Sequence, residues 1–196
     1  DLGQHQVKQL ENSKNVTILM NTQIKEIKDK TLLTKDGQSL YFNTLIGADG
    51  AKSIVRKHLG LKSEYFLGIY YDIPEITNDF KWHVDPKVLK SGYIWAFPHQ
   101  KSTNIGIYFN PKLINSVKAK SILQEYITKS GYSYASADMK GSPTNFEYYG
   151  HEFNDTYLIG DAAGLVSKGT GEGISFAMIS GKEIAKKILD PTYKTI

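Results

Sequence analysis

The sequence predicts an α/β fold, and three observations carry this prediction. Two short apolar segments, 45–46 and 157–159, each run into glycine and aspartate, as buried strands do when they end in a turn. Between them, residues 64–110 are rich in aromatic side chains and contain runs of alternating character, which indicate antiparallel strands. From Ile174 onward, apolar residues recur at spacings of three and four, which predicts a helix.

The composition is that of an ordinary globular protein and excludes several function classes. The chain has 196 residues, and its net charge of +4 comes from scattered basic side chains, which argues against a nucleic-acid partner. It contains no cysteine, so disulfides and thiolate metal sites are excluded, and its five histidines lack the spacing of metal ligands. No apolar run reaches the ~20 residues of a membrane span. We therefore expect a cytoplasmic protein without a metal, with peripheral membrane contact as an open alternative.

The first 43 residues are expected to form a surface helix and a small sheet. Sparse apolar positions over 2–14 predict the helix. The β-branched run 16–20 predicts a strand, and short strands continue to residue 33. The dipeptide Asp-Gly at 36–37 predicts a hairpin turn, which a strand at 39–43 completes.

Residues 45–60 are expected to form a strand followed by a short helix. The helix covers 51–58, with Ser53 as its N-cap and Gly60 as its end. On these residues alone, the segment is a capped helix with a salt bridge between Asp49 and Arg56.

The aromatic region is expected to form a sheet that carries a helix. Alternation over 92–98 places Tyr93, Trp95 and Phe97 on one face of a strand, and 103–109 pairs with that strand. A helix is predicted over 111–130, with an inward face made of Val117, Ile122, Leu123, Tyr126 and Ile127. The aromatic face is either ordinary core or a flat wall for an apolar ligand.

The stretch 156–174 has the composition of a site for a phosphorylated ligand. Asp161 can accept hydrogen bonds from sugar hydroxyls, and the small residues 162–164 permit a close approach. Glycines 169, 171 and 173 precede a helix N-terminus, where anions are favoured. The structural alternative is a strand–loop–helix connection whose small residues serve packing alone.

Two motifs resemble those of a known flavoprotein family. The sequence Gly-Ala-Asp-Gly-x-x-Ser-x-x-Arg at 47–56 and Gly-Asp-Ala-Ala-Gly at 160–164 resemble the FAD motifs of the para-hydroxybenzoate hydroxylase family. The continuation Thr-Gly-Glu-Gly-Ile at 170–174 is similar to the geranylgeranyl reductase branch. The resemblance implies an FAD site made of Asp49, Gly50, Arg56, Gly160, Asp161, Ala162, Ala163, Gly164, Gly171, Glu172, Gly173 and Ile174.

A third motif concerns the substrate. The sequence Tyr-x-Trp-x-Phe-Pro resembles the motif that lines the isoprenoid channel of geranylgeranyl reductases, and it implies substrate contacts from Tyr93, Trp95, Phe97 and Pro98. The resemblance implies a partial three-layer FAD-binding domain, 1–61 and 149–196. A mostly antiparallel substrate-binding sheet domain of α+β type, 62–148, is inserted into it.

The chain lacks a Gly-x-Gly-x-x-Gly unit, which in this family holds the ADP half of FAD. We therefore expect a fragment of a longer protein that needs this N-terminal FAD segment as a partner. Alone, it is expected to carry no FAD, to lack activity and to associate through an open sheet edge.

The function implied is FAD-dependent reduction of carbon–carbon double bonds in an isoprenoid (geranylgeranyl) chain, with NAD(P)H as reductant and a hydrophobic isoprenoid or lipid as the partner. The catalytic residues are not identified by the sequence, and the proton donor stays open between Tyr93 and His99. The alternatives are an FAD-dependent aromatic monooxygenase and a non-catalytic lipid-binding remnant.

Overall fold

The computed structural model describes residues 2–11 and 13–195, which divide into two compact units, Asp1–Asn43 and Thr44–Ile196. Residue 12, inside the predicted helix 2–14, lies outside the described residues. So do residues 1 and 196, where the first and last predicted domain segments begin and end.

The first unit is a helix and an antiparallel sheet with the strand order β1-β2-β3. The predicted hairpin turn is confirmed between β2 and β3, where Gly37 adopts a φ of +91°. The unit consists of α1 (Leu2–Glu11), β1 (Ile24–Lys28), β2 (Thr31–Thr34) and β3 (Ser39–Tyr41).

The predicted strand at 16–20 is wrong, because these residues adopt no regular structure. Strand preference of β-branched residues is realised only when the strand pairs and buries one face. Here the side chains are exposed, Met20 to 74%, and the segment pairs with no strand in the described part of the chain.

The second unit contains two sheets and five helices among its described residues. Its elements in chain order are β4 (Leu45–Gly47), α2 (Ile54–His58), β5 (Tyr65–Ile73), β6 (Lys81–His83), α3 (Pro86–Leu89), β7 (Tyr93–Pro98), β8 (Thr103–Phe109), α4 (Ser116–Lys129), β9 (Lys140–Asn145), β10 (Glu152–Phe153), β11 (Thr156–Leu158), α5 (Gly160–Ala163) and α6 (Ile174–Leu189).

The smaller sheet brings the two sequence motifs to the same edge. It has the order β10-β11-β4, with β11 parallel to β4 and Thr156 opposite Leu45. Because the two strands are parallel, the turns that follow them lie side by side at their carboxyl ends.

The larger sheet has the order β6-β7-β8-β5-β9 and is antiparallel throughout. The predicted inserted sheet is therefore confirmed as antiparallel. One face carries the main core, where Ile94 and Ile107 pack with Leu123 and Ile127 of α4. The opposite face carries the odd-numbered aromatic residues of β7, as the alternation predicts.

Helix α4 differs from the prediction at its start and on its inner face. The helix begins at Ser116 because the Asn115 side chain accepts the Lys118 N–H at 2.9 Å and caps it. The predicted inward orientation of Val117 is wrong, because this residue is 81% exposed. The buried residues Ala119, Leu123 and Ile127 recur every four positions, and Val117 lies outside that stripe.

Helix α6 starts at Ile174 as predicted, but its buried face is narrower than the pattern indicates. Ile184 is buried, and Ala177 packs against Gly160. Ile174, Ala185 and Ile188 are exposed, although they share the spacing that predicts the helix.

Candidate functional site

The turn after β4 is closed by an aspartate that binds backbone amides. The Asp49 carboxylate accepts hydrogen bonds from the N–H groups of Ile54 at 2.7 Å and Val55 at 3.5 Å. The Ser53 side chain accepts the Arg56 N–H at 2.9 Å, which confirms Ser53 as the N-cap of α2. The expected salt bridge between Asp49 and Arg56 is wrong, because the carboxylate serves the start of the helix and the guanidinium lies elsewhere.

Arg56 is the chain's single arginine, and it is 1% exposed. Its guanidinium donates to the carbonyl oxygens of Lys62 at 2.6 and 2.9 Å, of Ala162 at 3.1 Å, and of Glu147. Burial lowers the pKa of Arg56 from its ordinary value. This one side chain therefore joins the helix after the first motif to the second motif.

Four of the predicted glycines adopt a left-handed backbone: Gly50, Gly160, Gly164 and Gly171, which is described with its loop below. The φ angles are +75° at Gly50, +53° at Gly160 and +85° at Gly164. A Cβ at Gly160 would lie 3.0 Å from Ala177, and one at Gly164 only 2.2 Å from the Glu147 carbonyl oxygen. Gly164 is therefore required both by its conformation and by its neighbour.

Asp161 lies at the first turn after β11, on the short helix α5 together with the buried Ala162 and Ala163. Burial raises the pKa of the Asp161 carboxyl. A Cβ at Gly173 would lie 3.1 Å from its Oδ1 and 3.2 Å from the Val166 side chain, so the backbone of Gly173 forms a close-fitting cradle beside the carboxylate. The buried Asn145 donates to the Asp161 carbonyl oxygen at 3.1 Å. The sequence prediction missed Asn145, because an asparagine in a strand carries no local signal.

The loop between α5 and α6 is folded back on itself and docked on the larger sheet. The Gly171 N–H donates to the Ser167 carbonyl at 2.8 Å, so this amide is already paired. Gly171 has a φ of +71°, and a Cβ there would lie 3.2 Å from the Tyr108 ring. The Tyr93 hydroxyl donates to the Thr170 carbonyl. The glycine loop of the second motif therefore lies against the aromatic face.

Two further predicted residues stand at the entrance of α6. The Glu172 carboxylate accepts a hydrogen bond from the Ser175 hydroxyl at 2.6 Å, which holds the first turn of the helix. The Ile174 side chain is 69% exposed.

The aromatic face and the glycine loop together line a cavity of about 570 Å³ that is open to solvent. Tyr93, Trp95 and Phe97 belong to its lining, and the pairing register brings residues from all five strands of the sheet to it. The lining consists of Gly68, Tyr70, Trp82, Tyr93, Trp95, Phe97, Tyr108, Ser142, Thr144, Thr170, Gly171 and Glu172.

The rings of this cavity pack on one another as a continuous wall. Trp82 stacks on Tyr93 with ring centroids 4.7 Å apart, and Tyr93 lies 5.4 Å from Tyr108. Trp82 and Tyr108 were not predicted as site residues. Tyr108 could have been found, since it faces Tyr93 across the predicted pair of strands, whereas β6 gives too short a pattern to place Trp82.

Pro98 and His99 lie at the end of β7, outside the lining of this cavity. His99 is exposed in the hairpin to β8, where its backbone N–H donates to the Ser102 carbonyl at 2.8 Å.

Burial weakens the acidity of two cavity tyrosines, Tyr93 and Tyr108. Burial raises the pKa of Tyr93 to about 12, with a smaller contribution from Tyr108. Burial also raises the pKa of Tyr108, whose hydroxyl lies 2.9 Å from the Thr144 hydroxyl. Both hydroxyls are therefore protonated at neutral pH and can act as hydrogen-bond donors.

Over residues 2–11 and 13–195, no group of three or more histidine, aspartate or glutamate side chains is arranged to hold a metal ion. No helix in this part of the chain is long and apolar enough to cross a membrane.

Curated relatives cover most of this chain, although no family model matches it. An uncharacterized protein of Methanosarcina barkeri is 30% identical over 169 residues, which is 82% of this chain and 42% of the relative. The digeranylgeranylglycerophospholipid reductase of Methanococcus vannielii is 28% identical over 193 residues, with 82% and 48% covered. The geranylgeranyl diphosphate reductase of Rhodobacter capsulatus is 28% identical over 153 residues, with 72% and 38% covered. The chain spans less than half the length of each of these relatives.

Solved structures share the fold. A geranylgeranyl bacteriochlorophyll reductase-like protein of Thermoplasma acidophilum matches with a TM-score of 0.67 at 20% identity, over 90% of this chain and 49% of that structure. A probable FAD-dependent monooxygenase of Pseudomonas aeruginosa matches with a TM-score of 0.65 at 17% identity, over 97% of this chain and 60% of that structure. The chain is therefore similar in sequence to proteins named as geranylgeranyl reductases, and it shares its fold with the solved structures named above.

Proposed function

We propose that this chain forms the substrate-facing part of an FAD-dependent reductase that saturates carbon–carbon double bonds of an isoprenoid lipid. One observation carries the proposal: the aromatic cavity lies directly against the glycine loop that continues the Asp161 motif. Gly171 packs on Tyr108, and Thr170 accepts the Tyr93 hydroxyl. An apolar chain on the aromatic wall and a flavin along the loop would therefore meet at one place.

The chemistry of the residues around Asp161 supports a flavin nucleotide as the ligand. The backbone of Gly173 passes close to the Asp161 carboxylate, and this carboxylate could accept hydrogen bonds from ribityl hydroxyls. The proposed contacts are Asp49, Gly50, Gly160–Gly164, Gly171, Glu172, Gly173 and Ile174. Arg56, which is buried and donates to the Ala162 carbonyl, would support this site from within the protein. FAD bound there would supply a hydride donor, with NAD(P)H as the source of electrons.

In this scheme the protein positions the substrate and excludes water from it. Rigid rings offer a large apolar surface at low cost in conformational entropy, which suits a long unsaturated chain. Tyr93 is the better placed of the two proposed proton donors, since it lines the cavity and His99 does not. To donate a proton, the Tyr93 hydroxyl would have to leave the Thr170 carbonyl.

The proposed domain division gives the flavin to 1–61 and 149–196 and the lipid to 62–148. In the protein that contains this chain, we expect flavin absorbance and NAD(P)H-dependent saturation of a geranylgeranyl lipid, measured by mass spectrometry. Oxygen consumption with a phenol and no prenyl reduction would favour a monooxygenase instead. Prenyl binding without any flavin would favour a lipid-binding protein.

Substitution of Gly173 by alanine is expected to reduce flavin occupancy while leaving the melting temperature nearly unchanged. The new methyl group would lie 3.1 Å from Asp161 Oδ1, inside the proposed cradle, and the Gly173 φ of −136° is accessible to alanine. We expect a loss in FAD affinity of roughly tenfold, about 1.4 kcal/mol.

Gly169→Ala is the matched control, because it adds a methyl group in the same loop where nothing lies within 4 Å. Equal FAD affinity in the two variants would show that the cradle is misplaced.

Substitution of Trp95 by alanine is expected to raise the KM for a C20 prenyl substrate about tenfold or more, a loss of ~1.4 kcal/mol. The variant removes one of the two indole rings of the wall but none of the proposed flavin contacts, so flavin reduction by NAD(P)H should stay near normal. Steady-state kinetics and stopped-flow reduction measure the two effects. Tyr41→Ala, which removes an exposed ring outside the cavity, is the control.

A further inference from the structure

The Trp95 ring lies flat across the sheet and forms the floor of the cavity. Trp95 pairs with Gly106 of β8, and a Cβ at Gly106 would lie 2.1 Å from Trp95 Cζ2. A Cβ at Gly68 of β5 would lie 3.7 Å from Trp95 Cη2. The indole therefore extends from β7 over β8 toward β5, in the space that two glycines leave free.

A series of hydrogen bonds between polar side chains holds the edge of this ring. The Trp95 indole N–H donates to Asn104 Oδ1 at 2.6 Å, and Asn104 Nδ2 donates to Asp72 Oδ1 at 2.7 Å. Lys140 Nζ donates to Asp72 Oδ2 at 3.0 Å. Burial alone would raise the pKa of Asp72, but the bonds from Asn104 and Lys140 bring it below its ordinary value.

The donor and the acceptor of each of these hydrogen bonds are fixed by the chemistry of the side chains. An indole N–H and a lysine ammonium only donate, and an ionised carboxylate only accepts. Asn104 is the one member that can do both, so its amide has a single orientation that satisfies Trp95 and Asp72 at once. Replacing the Asn104 amide would remove both of the hydrogen bonds that link Trp95 to Asp72.

An open apolar cavity in water tends to be filled by its own lining, since covering apolar surface is favourable. A tryptophan without a bond at its N–H could rotate away from the sheet and occupy that space. We propose that Asn104, held by Asp72 and Lys140, is a positioning residue that keeps Trp95 flat and the cavity open for a prenyl chain. The prenyl occupant rests on the function proposed above, whereas the ring position does not.

The test observes the indole N–H itself. In the ¹⁵N-tryptophan-labelled protein, the Trp95 indole signal is assigned by its loss in Trp95→Phe, and its hydrogen exchange is measured. We expect the exchange to become about five- to tenfold faster in Asn104→Leu, because the acceptor is lost. The exchange rate of the Trp95 indole N–H should rise by a smaller factor in Asp72→Ala, a substitution at a partly exposed position. The Asp72→Ala variant tests this series of hydrogen bonds even if Asn104→Leu folds poorly.

Asn115→Ala is the control, because it removes an asparagine cap from α4 without touching the cavity. Unchanged Trp95 exchange in Asp72→Ala or in folded Asn104→Leu would overturn the proposal. Quenching of protein fluorescence by geranylgeraniol gives the second readout, with about tenfold weaker binding expected in Asn104→Leu. Faster exchange with unchanged geranylgeraniol binding would overturn the cavity role. Wild-type protein that binds no geranylgeraniol would instead count against the proposed function.

Discussion

Replacing Arg56 by methionine should destabilise the protein by roughly 3–5 kcal/mol, the largest effect expected of any single substitution here. The guanidinium is buried and donates to three backbone carbonyls from segments far apart in the sequence. Methionine retains much of the length but none of the donors, so buried carbonyl oxygens would lose their partners. Urea unfolding monitored by circular dichroism measures the loss.

Lys57→Met is the matched control, since it removes an exposed charge at the next position of the same helix. It should change the free energy of unfolding by less than about 0.5 kcal/mol. Similar losses in both variants would mean that the Arg56 bonds contribute little.

Gly164→Ala should cost roughly 2–5 kcal/mol, for two separable reasons. A left-handed backbone costs a residue with a Cβ about 1–2 kcal/mol. The new methyl group would also lie 2.2 Å from the Glu147 carbonyl oxygen, which requires the backbone to move, and overpacking of this kind costs about 1–3 kcal/mol. Thermal or urea denaturation measures the sum.

Gly60→Ala separates the two contributions. Gly60 has a φ of +70°, close to that of Gly164, but nothing lies within 4 Å of its Cβ position. Only the backbone cost should remain there, about 1–2 kcal/mol. If the two variants lost equal stability, the close approach to Glu147 would carry no weight.

The sequence predicts well where a pattern is local. The period of two in β7 places Tyr93, Trp95 and Phe97 on one face because successive strand residues point to opposite sides. Ser53 and the Asp-Gly turn follow from equally local chemistry. The larger sheet follows from the alternation over 92–98 and from the family resemblance, and the structural comparisons agree with that fold. Its contact with the glycine loop was not predicted.

The prediction fails where the outcome depends on distant partners. The run at 16–20 has strand propensity but no strand beside it in the described residues. Arg56 donates hydrogen bonds to the carbonyl oxygens of residues 62, 147 and 162, and no short-range pattern links these residues to it. Asn104 and Gly106 acquire their roles only through the register of β7 with β8. These are properties of the folded chain, and a single sequence does not display them.

One nitrogen of Arg56 donates to the carbonyl of residue 62 and to that of residue 147. The chain therefore leaves for the larger sheet and returns from it at a common point. Closing a free loop of about 85 residues costs roughly 4 kcal/mol in chain entropy, and the Arg56 bonds offset part of that cost. Since the departure and the return lie together, insertions or deletions in the intervening segment need not move the turns after β4 and β11, provided that Asn145 keeps its bond to Asp161 and Tyr93 its bond to Thr170. Such an arrangement would let substrate preference change independently of cofactor binding.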